Sequence, residues 1–256
     1  MNPTAQRRPV PAALLAALPT AFLAAGLTGG CQSPAPAPEV PAAQEQRTAV
    51  PEGINEKFLD PTAKAEDYVA RWEIESREVY ASRDHIVAAL GLKPGDRVAD
   101  IGTGTGLFLE PLANAVGEGG KVYATDISVA FLEHVRGRVA ENGWTQVQPI
   151  LGGTRTTALL DDSIDLAFTC DVYHHFEYHQ DMLRSIRAAL RPGGTLVIVD
   201  FERIPGVTRE WLLNHVRASK ETVIEEVTAA GFELEREVPI EGFEENYLLR
   251  FSALPE

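Results

Sequence analysis

The chain has 256 residues, with 23 Lys+Arg against 37 Asp+Glu and a formal net charge of −14. Hydrophobic residues make up 45% and charged residues 23%, the balance of a globular protein long enough for one large α/β domain. The acidity excludes nucleic-acid binding through a broad basic face, and the two cysteines, Cys31 and Cys170, are too few for a disulfide framework or a cysteine-rich zinc site.

The N-terminal fifth differs from the rest: the first 50 residues hold 8 of the 17 prolines and a single aromatic, Phe22. Arg7 and Arg8, with no acid nearby, precede an apolar stretch at 12–27 that Pro19 interrupts and that is short for a membrane span. A basic start, an apolar run and then small residues is the pattern of a secretory signal. The segment Leu27-Thr28-Gly29-Gly30-Cys31 resembles a bacterial lipobox, which implies Cys31 as a lipidation site and membrane attachment through it. An uncleaved N-terminal anchor, or an Ala/Pro tail with an incidental cysteine, is the alternative. The expected organisation is a leader at 1–30, a Pro/Ala-rich tether at 31–57 and a folded domain at 58–256. The expected location is the cell envelope, or the cytoplasm if the leader is not used for export.

Beyond Phe58 the apolar residues become periodic. Tyr68, Val69 and Trp72 share one helical face, and Ile86, Val87 and Leu90 another that ends at Gly91. Arg97–Ile101 reads as a first strand, followed by a glycine loop and a helix that Pro111 limits or kinks. Strands follow at Lys121–Thr125, Val147–Leu151 and Ile164–Thr169, with a helix marked by Leu132, Val135 and Val139 between the first two of these. Met182, Leu183, Ile186, Ala189 and Leu190 trace a helix stopped by Pro192-Gly193-Gly194, and Thr195–Phe201 is a uniformly apolar fifth strand. Ser219 caps a helix over Val223, Val227 and Ala230, and two late strands lie near Phe232–Val238 and Asn246–Leu254. Strands alternating with helices imply a parallel sheet with right-handed crossovers.

The most informative residues are Asp100-Ile101-Gly102-Thr103-Gly104-Thr105-Gly106, which leave a buried strand and open a helix. Glycines there allow a tight turn and close approach of a ligand. Asp126 ends the second strand, where a carboxylate can accept hydrogen bonds from both hydroxyls of a ribose. The third glycine comes one residue too early for a dinucleotide fingerprint.

Asp-x-Gly-x-Gly-x-Gly instead resembles motif I of the class I S-adenosylmethionine-dependent methyltransferases. Val122–Asp126, Asp162–Asp171 and Leu190-Arg191-Pro192-Gly193-Gly194-Thr195 resemble further motifs of that family, so the likeness runs over residues 95–200. It implies a Rossmann-like, doubly wound α/β fold: a seven-stranded sheet in the order 3-2-1-4-5-7-6, strand 7 antiparallel, with added N-terminal helices. It implies S-adenosyl-L-methionine as cofactor. Gly102, Thr103, Gly104 and Gly106 would wrap its methionine part, Asp100 would order that loop, Asp126 would hold the ribose and Ile127 would press on the adenine. An acid usual after the third strand is missing here; the segment reads Gly152-Gly153-Thr154-Arg155, and Thr154 or a backbone carbonyl would take its place.

Methyl transfer from a sulfonium is an in-line displacement that needs a positioned nucleophile and, for many acceptors, a proton acceptor. The ends of the fourth and fifth strands supply candidates: Asp171, Tyr173, His174 and His175 on one, Asp200 and Arg203 on the other. His175 and His174 are candidate bases, or residues of helix entry and packing. Asp171 is a candidate on the catalytic and the cofactor side, or a helix-capping acid. Trp72, Tyr173, Arg203 and Tyr247 are candidate acceptor contacts, or ordinary packing residues. His175, Glu177 and His179 have one-face helical spacing, but a third ligand is not evident, so no metal centre is expected. The expected function is methyl transfer to a small molecule. Alternatives are transfer to a protein or envelope component, and an envelope-tethered binding protein without catalysis.

Overall fold

The computed structural model describes residues 50–255. The expected leader, Cys31 and most of the tether therefore lie outside the described residues. The described part opens with four helices: α1 (Glu56–Leu59), α2 (Ala65–Trp72), α3 (Glu78–Ala81) and α4 (Arg83–Leu90). Strands and helices then alternate except between β3 and β4: β1 (Arg97–Ile101), α5 (Leu109–Val116), β2 (Lys121–Asp126), α6 (Val129–Asn142), β3 (Val147–Leu151), β4 (Ile164–Cys170), α7 (His179–Ala189) and β5 (Leu190–Phe201). The chain closes with α8 (Glu210–His215), α9 (Lys220–Ala229), β6 (Phe232–Glu237) and β7 (Asn246–Ala253). The sheet order is β3-β2-β1-β4-β5-β7-β6, parallel through β5, with β7 antiparallel to both neighbours, as the resemblance implies. Among the described residues no helix is long and apolar enough to cross a membrane.

The uniform apolarity of β5 follows from its place in the middle. Leu196 and Ile198 point to one face and pack with Met182, Leu183, Ile186, Val223 and Val227 of α7 and α9. Val197 and Val199 point to the other and pack with Ile86, Leu90, Leu109 and Leu112 of α4 and α5. All four strand residues are fully buried, each contributing about 1.5–3 kcal/mol of burial. Removing water from both faces in this way is what holds the C-terminal strand ends, and hence the site above them, in place.

Local signals set the helix ends. Gly91 and Gly143 close α4 and α6 with φ of 68° and 67°, the left-handed conformation that glycine adopts without strain. Pro111 sits in the first turn of α5, where its missing N–H has no partner to lose, so it neither ends nor kinks the helix. Two boundaries differ from expectation. Leu190 is extended and begins β5, and the ladder with β4 is irregular between Ile164 and Leu166, because the Pro192-Gly193-Gly194 turn, with φ of 77° at Gly193, loops out of the strand. Residues before Phe58 also belong to the folded unit: Ile54 and Asn55 are buried.

Candidate active site

Where β1 and β4 part to opposite neighbours, the strand ends open onto one cavity of about 910 Å³. Topological switch points of this kind are where open α/β sheets bind ligands. One half of the cavity is built by the glycine loop. The N–H groups of Gly102 and Thr103 donate to the carbonyl of Thr125 at 2.8 and 2.9 Å, folding the loop over the end of β2. Gly102 has φ of 74°, and a Cβ on it would stand 2.5 Å from Cγ1 of Val172. Asp100, buried beneath, accepts from the Thr103 hydroxyl at 2.7 Å. Burial pushes its carboxyl up to about 7, and the Asp126 charge adds to this.

Asp126 is held by backbone from two sides. Gly104 N–H donates to Oδ2 and Ser128 N–H to Oδ1, each at 2.8 Å. Ser128 in turn caps α6 by accepting from Phe131 N–H. The carboxylate is thereby aimed while its remaining lone pairs stay free for hydroxyl donors. Burial raises it to about 6 against the pull of those amides. Ile127, Gly152, Gly153 and Thr154 continue this wall. No acid from the segment after β3 lines the cavity. Gly106 does not line it either: a Cβ there would meet Leu109 and Val135, so this glycine serves close packing of the loop on α5 and α6.

The N-terminal helices cover this half. Phe58, Tyr68, Trp72 and Phe131 form a cluster of rings with centroids 4.8–6.1 Å apart, and Trp72 would lie 3.2 Å from a Cβ on Gly104. Arg138 from α6 ties the cover down, donating to Glu73 at 3.0 Å and to the Thr105 carbonyl at 2.9 Å. Asp171 has the same role further along. It holds a left-handed backbone, φ 55°, and its carboxylate takes Arg77 at 2.5 Å and Asn246 at 2.8 Å. Burial raises it to about 6, opposed by the Arg77 guanidinium.

The other half of the cavity is a wall of imidazoles. Just after β4, residues Tyr173–His175 form a single 3-10 turn. His174 is buried, its Nδ1 2.7 Å from Asp200 Oδ1, while its N–H donates to Asp200 Oδ2 at 3.0 Å. His175 Nδ1 lies 3.1 Å from Oδ1 of Asn55, whose amide nitrogen donates to the His175 carbonyl and to Glu177 at 3.0 and 2.7 Å. Because that amide nitrogen has its two acceptors, Oδ1 faces the ring, and an acceptor there requires His175 Nδ1 to carry the proton. The carboxylate of Asp200 asks the same of His174. In both rings Nδ1 is thus engaged, and Nε2 is the nitrogen left for other partners. His215, the last residue of α8, completes the wall, with ring centroids 5.0 and 5.2 Å from those of His174 and His175. Burial pushes His215 down to about 4 and His175 further below the usual imidazole range, with neighbouring His174 adding to both.

Several expected contacts are placed elsewhere. His175, Glu177 and His179 do not share a helical face, because α7 begins only at His179, whose ring turns to Glu226 at 3.5 Å. Tyr173 is not an acceptor contact: it is buried in the α7–α9 layer and its hydroxyl donates to Glu226 at 2.7 Å. Tyr247 lies in the same layer, away from the cavity. Arg203 also misses the cavity wall; it donates to the carbonyls of Val216 and Leu213 and so fastens the end of α8. Trp72 alone of the four expected acceptor contacts lines the cavity, whereas Asn55, Trp211 and His215 line it without having been expected as site residues. Cys170 lines it too, and burial pushes its thiol well above the usual value.

Residues 99–196 match a family model described as a methyltransferase domain. The chain is 38% identical over 110 residues to an uncharacterized 37.1 kDa protein in transposon TN4556 of Streptomyces fradiae, covering 43% of this chain and 31% of that protein. It is 32% identical over 117 residues to the ubiquinone/menaquinone biosynthesis C-methyltransferase UbiE of Ectopseudomonas mendocina, covering 45% of each. It thus spans less than half the length of these relatives. A SAM dependent methyltransferase from Aquifex aeolicus superposes with a TM-score of 0.66 at 23% identity, covering 73% of this chain and 98% of that one. The [4+2]-cyclase SpnF does so with 0.65 at 16% identity, covering 82% and 99%. Both likenesses are likenesses of fold.

Proposed function

We propose that the protein transfers the methyl group of S-adenosyl-L-methionine to a small-molecule acceptor seated against the histidine wall. The observation that carries this reading is Asp126, buried at the end of β2, aimed by Gly104 and Ser128, with lone pairs left for ribose hydroxyls in the same cavity as the glycine loop. The matched methyltransferase domain supports it. When bound, the sulfonium cofactor supplies an activated methyl group.

The chain's own residues then have separable tasks. Gly102, Thr103 and Gly104 let the loop approach the methionine part, with Asp100 ordering them through Thr103. Ile127 and Thr154 flank the adenine, Thr154 standing for the absent acid. Trp72 and Phe58 exclude water from above. Asp171 acts by anchoring the cover through Arg77. In the metal-free chain His174, held by Asp200, offers Nε2 to the acceptor's proton, which a positioned base can accelerate about 10²–10⁴-fold. His175 shapes the wall beside it.

Calorimetric titration of the chain with S-adenosylmethionine and S-adenosylhomocysteine tests the reading, and absence of binding at millimolar ligand overturns it. The fold also occurs in a protein named for cyclisation, and the segment after β3 lacks an acid. A chain that binds the cofactor yet releases no S-adenosylhomocysteine with any acceptor would belong to a second, non-methylating use of the same cavity.

The N-terminal pattern supports a further part of the proposal, that the domain is tethered at the cell envelope through a lipidated Cys31. Cys31→Ala would then release the chain from the membrane fraction, and unchanged fractionation would sink the tether. Acceptors at that location include protein and envelope components as well as small molecules.

A further inference from the structure

We propose that His174, His175 and His215 form a binding site for a divalent transition-metal ion of the zinc class in the acceptor half of the cavity. Each ring offers one nitrogen, and the three nitrogens lie within 4.8 Å of one another. Tetrahedral coordination with bonds of about 2.0–2.1 Å places nitrogens about 3.3 Å apart, so closing the site takes a shift of the order of 1 Å. His215 is the ring free to make it. It sits at the end of the six-residue helix α8, only partly buried, and among the described residues no hydrogen bond holds its ring nitrogens.

The surroundings have the form that metal sites require. His174 Nδ1 is bonded to the Asp200 carboxylate and His175 Nδ1 to Asn55. Partners of this kind fix the tautomer, point Nε2 at the ion and raise its basicity. Three neutral imidazoles are a borderline donor set suited to zinc, cobalt, nickel or ferrous iron and not to magnesium or calcium, which take oxygen. All three rings line the cavity, so an ion among them keeps a position open to whatever occupies it. The rings come from two stretches of chain, the turn after β4 and the helix after β5, with Asn55 of the N-terminal segment supporting one of them. Simple i, i+4 spacing could not reveal such a set.

This inference deepens the proposed function, since a metal here would bind an acceptor through oxygen or nitrogen. It also changes the part played by His174, whose Nε2 lone pair would go to the ion instead of the proton. Metal binding itself depends only on the three rings, so the two readings can fail separately.

The test is titration of the untagged, full-length chain, freed of metal by a chelator, with Co²⁺ alone, followed by visible absorption. The expected result is one bound equivalent with the spectrum of a four- or five-coordinate ion, displaced by Zn²⁺. His215→Gln, which leaves Asp200 and Asn55 with their partners, is expected to weaken binding tenfold or more. His134→Ala, at a histidine that does not line the cavity and faces Glu66 at 3.8 Å, is expected to leave it unchanged. No absorption change at millimolar Co²⁺, or equal affinity in His215→Gln, overturns the site. Calorimetry with S-adenosylhomocysteine on the same metal-free sample reads the cofactor half by itself: binding there without cobalt binding removes the metal and leaves His174 as the base.

Discussion

Arg77 and Asp171 meet at 2.5 Å across the seam between the N-terminal helices and the end of β4, with side chains 25% and 12% exposed. Arg77 also donates to the Trp72 carbonyl at 3.2 Å, so one guanidinium joins the cover of the cavity to the strand that supports its histidines. Next to it, Glu78 accepts from the backbone N–H groups of Glu244, Glu245 and Asn246, tying α3 to the start of β7.

Removing one partner of this pair leaves the other charge largely buried at the cavity wall. Arg77→Met is expected to destabilise the chain by about 3 kcal/mol, read as the shift in urea midpoint at constant slope. It is also expected to weaken S-adenosylhomocysteine binding, because Trp72 loses its anchor over Gly104. Arg77→Met combined with Asp171→Asn should recover part of the stability, since the orphaned carboxylate is then gone. A single variant as stable as the parent would show that the pair does not hold the cover.

Asp126 makes a sharper prediction about ligand than about fold. A hydroxyl donating to a carboxylate is worth about 1.5–3 kcal/mol, so Asp126→Asn is expected to weaken cofactor affinity roughly 10- to 100-fold. The variant keeps an oxygen for one of the two amides, so its melting temperature should fall far less than its affinity. Equal calorimetric affinity in the variant and parent would remove Asp126 from the ribose.

The sheet was legible because its centre is dry on both faces. Leu196–Val199 has no polar position, which only a doubly covered strand permits, and the centres of β1 and β4, Val98–Ala99 and Leu166–Phe168, are apolar too. The glycine loop and Asp126 were legible because the strand, turn, helix and second strand occur in unbroken sequence. The acceptor half was not. Asn55 reaches His175 from 120 positions away and Arg77 reaches Asp171 from 94 away, and no local periodicity records such meetings. Tyr173 and Tyr247 misled for a physical reason: both stand near strand ends, but their side chains turn into the α7–α9 layer. A tyrosine there is distinguishable from a cavity residue only once the facing helices, and Glu226 among them, are in place.

Gly102 is expected to tolerate no side chain. Its φ of 74° costs an alanine about 1–2 kcal/mol, and the added Cβ would stand 2.5 Å from Cγ1 and 2.7 Å from Cγ2 of Val172. Val172 leads directly into the Tyr173–His175 turn, so relief by moving it would displace the imidazole wall as well as the loop. Gly102→Ala should lower both stability and cofactor affinity. Adding Val172→Ala removes the clash but not the backbone cost, so it should restore stability only in part. Full recovery in the double variant would mean that φ at this position is free to change.

Asp100 gives the chain a pH dependence of defined sign. Its carboxyl is raised to about 7 in the folded state from an ordinary value of 3.8, chiefly by burial. A group shifted upward favours the folded state most fully below its unfolded value, and that share is lost as pH rises through the folded one. Ligand-free stability should therefore decline between about pH 4 and 7 through this group, with Asp126 and Asp171, each raised to about 6, adding to the slope. Asp100→Asn keeps an acceptor for the Thr103 hydroxyl but carries no charge, so urea midpoints measured across this range should fall less steeply than in the parent. Cofactor affinity runs the other way, because a ribose is best held by ionised Asp126: it should drop as pH falls below about 6. Opposite slopes for stability and affinity over one pH window are the expected signature, and a parent chain whose stability instead rises from pH 4 to 7 to the same extent with Asp100→Asn would show that the buried carboxyl is ionised throughout.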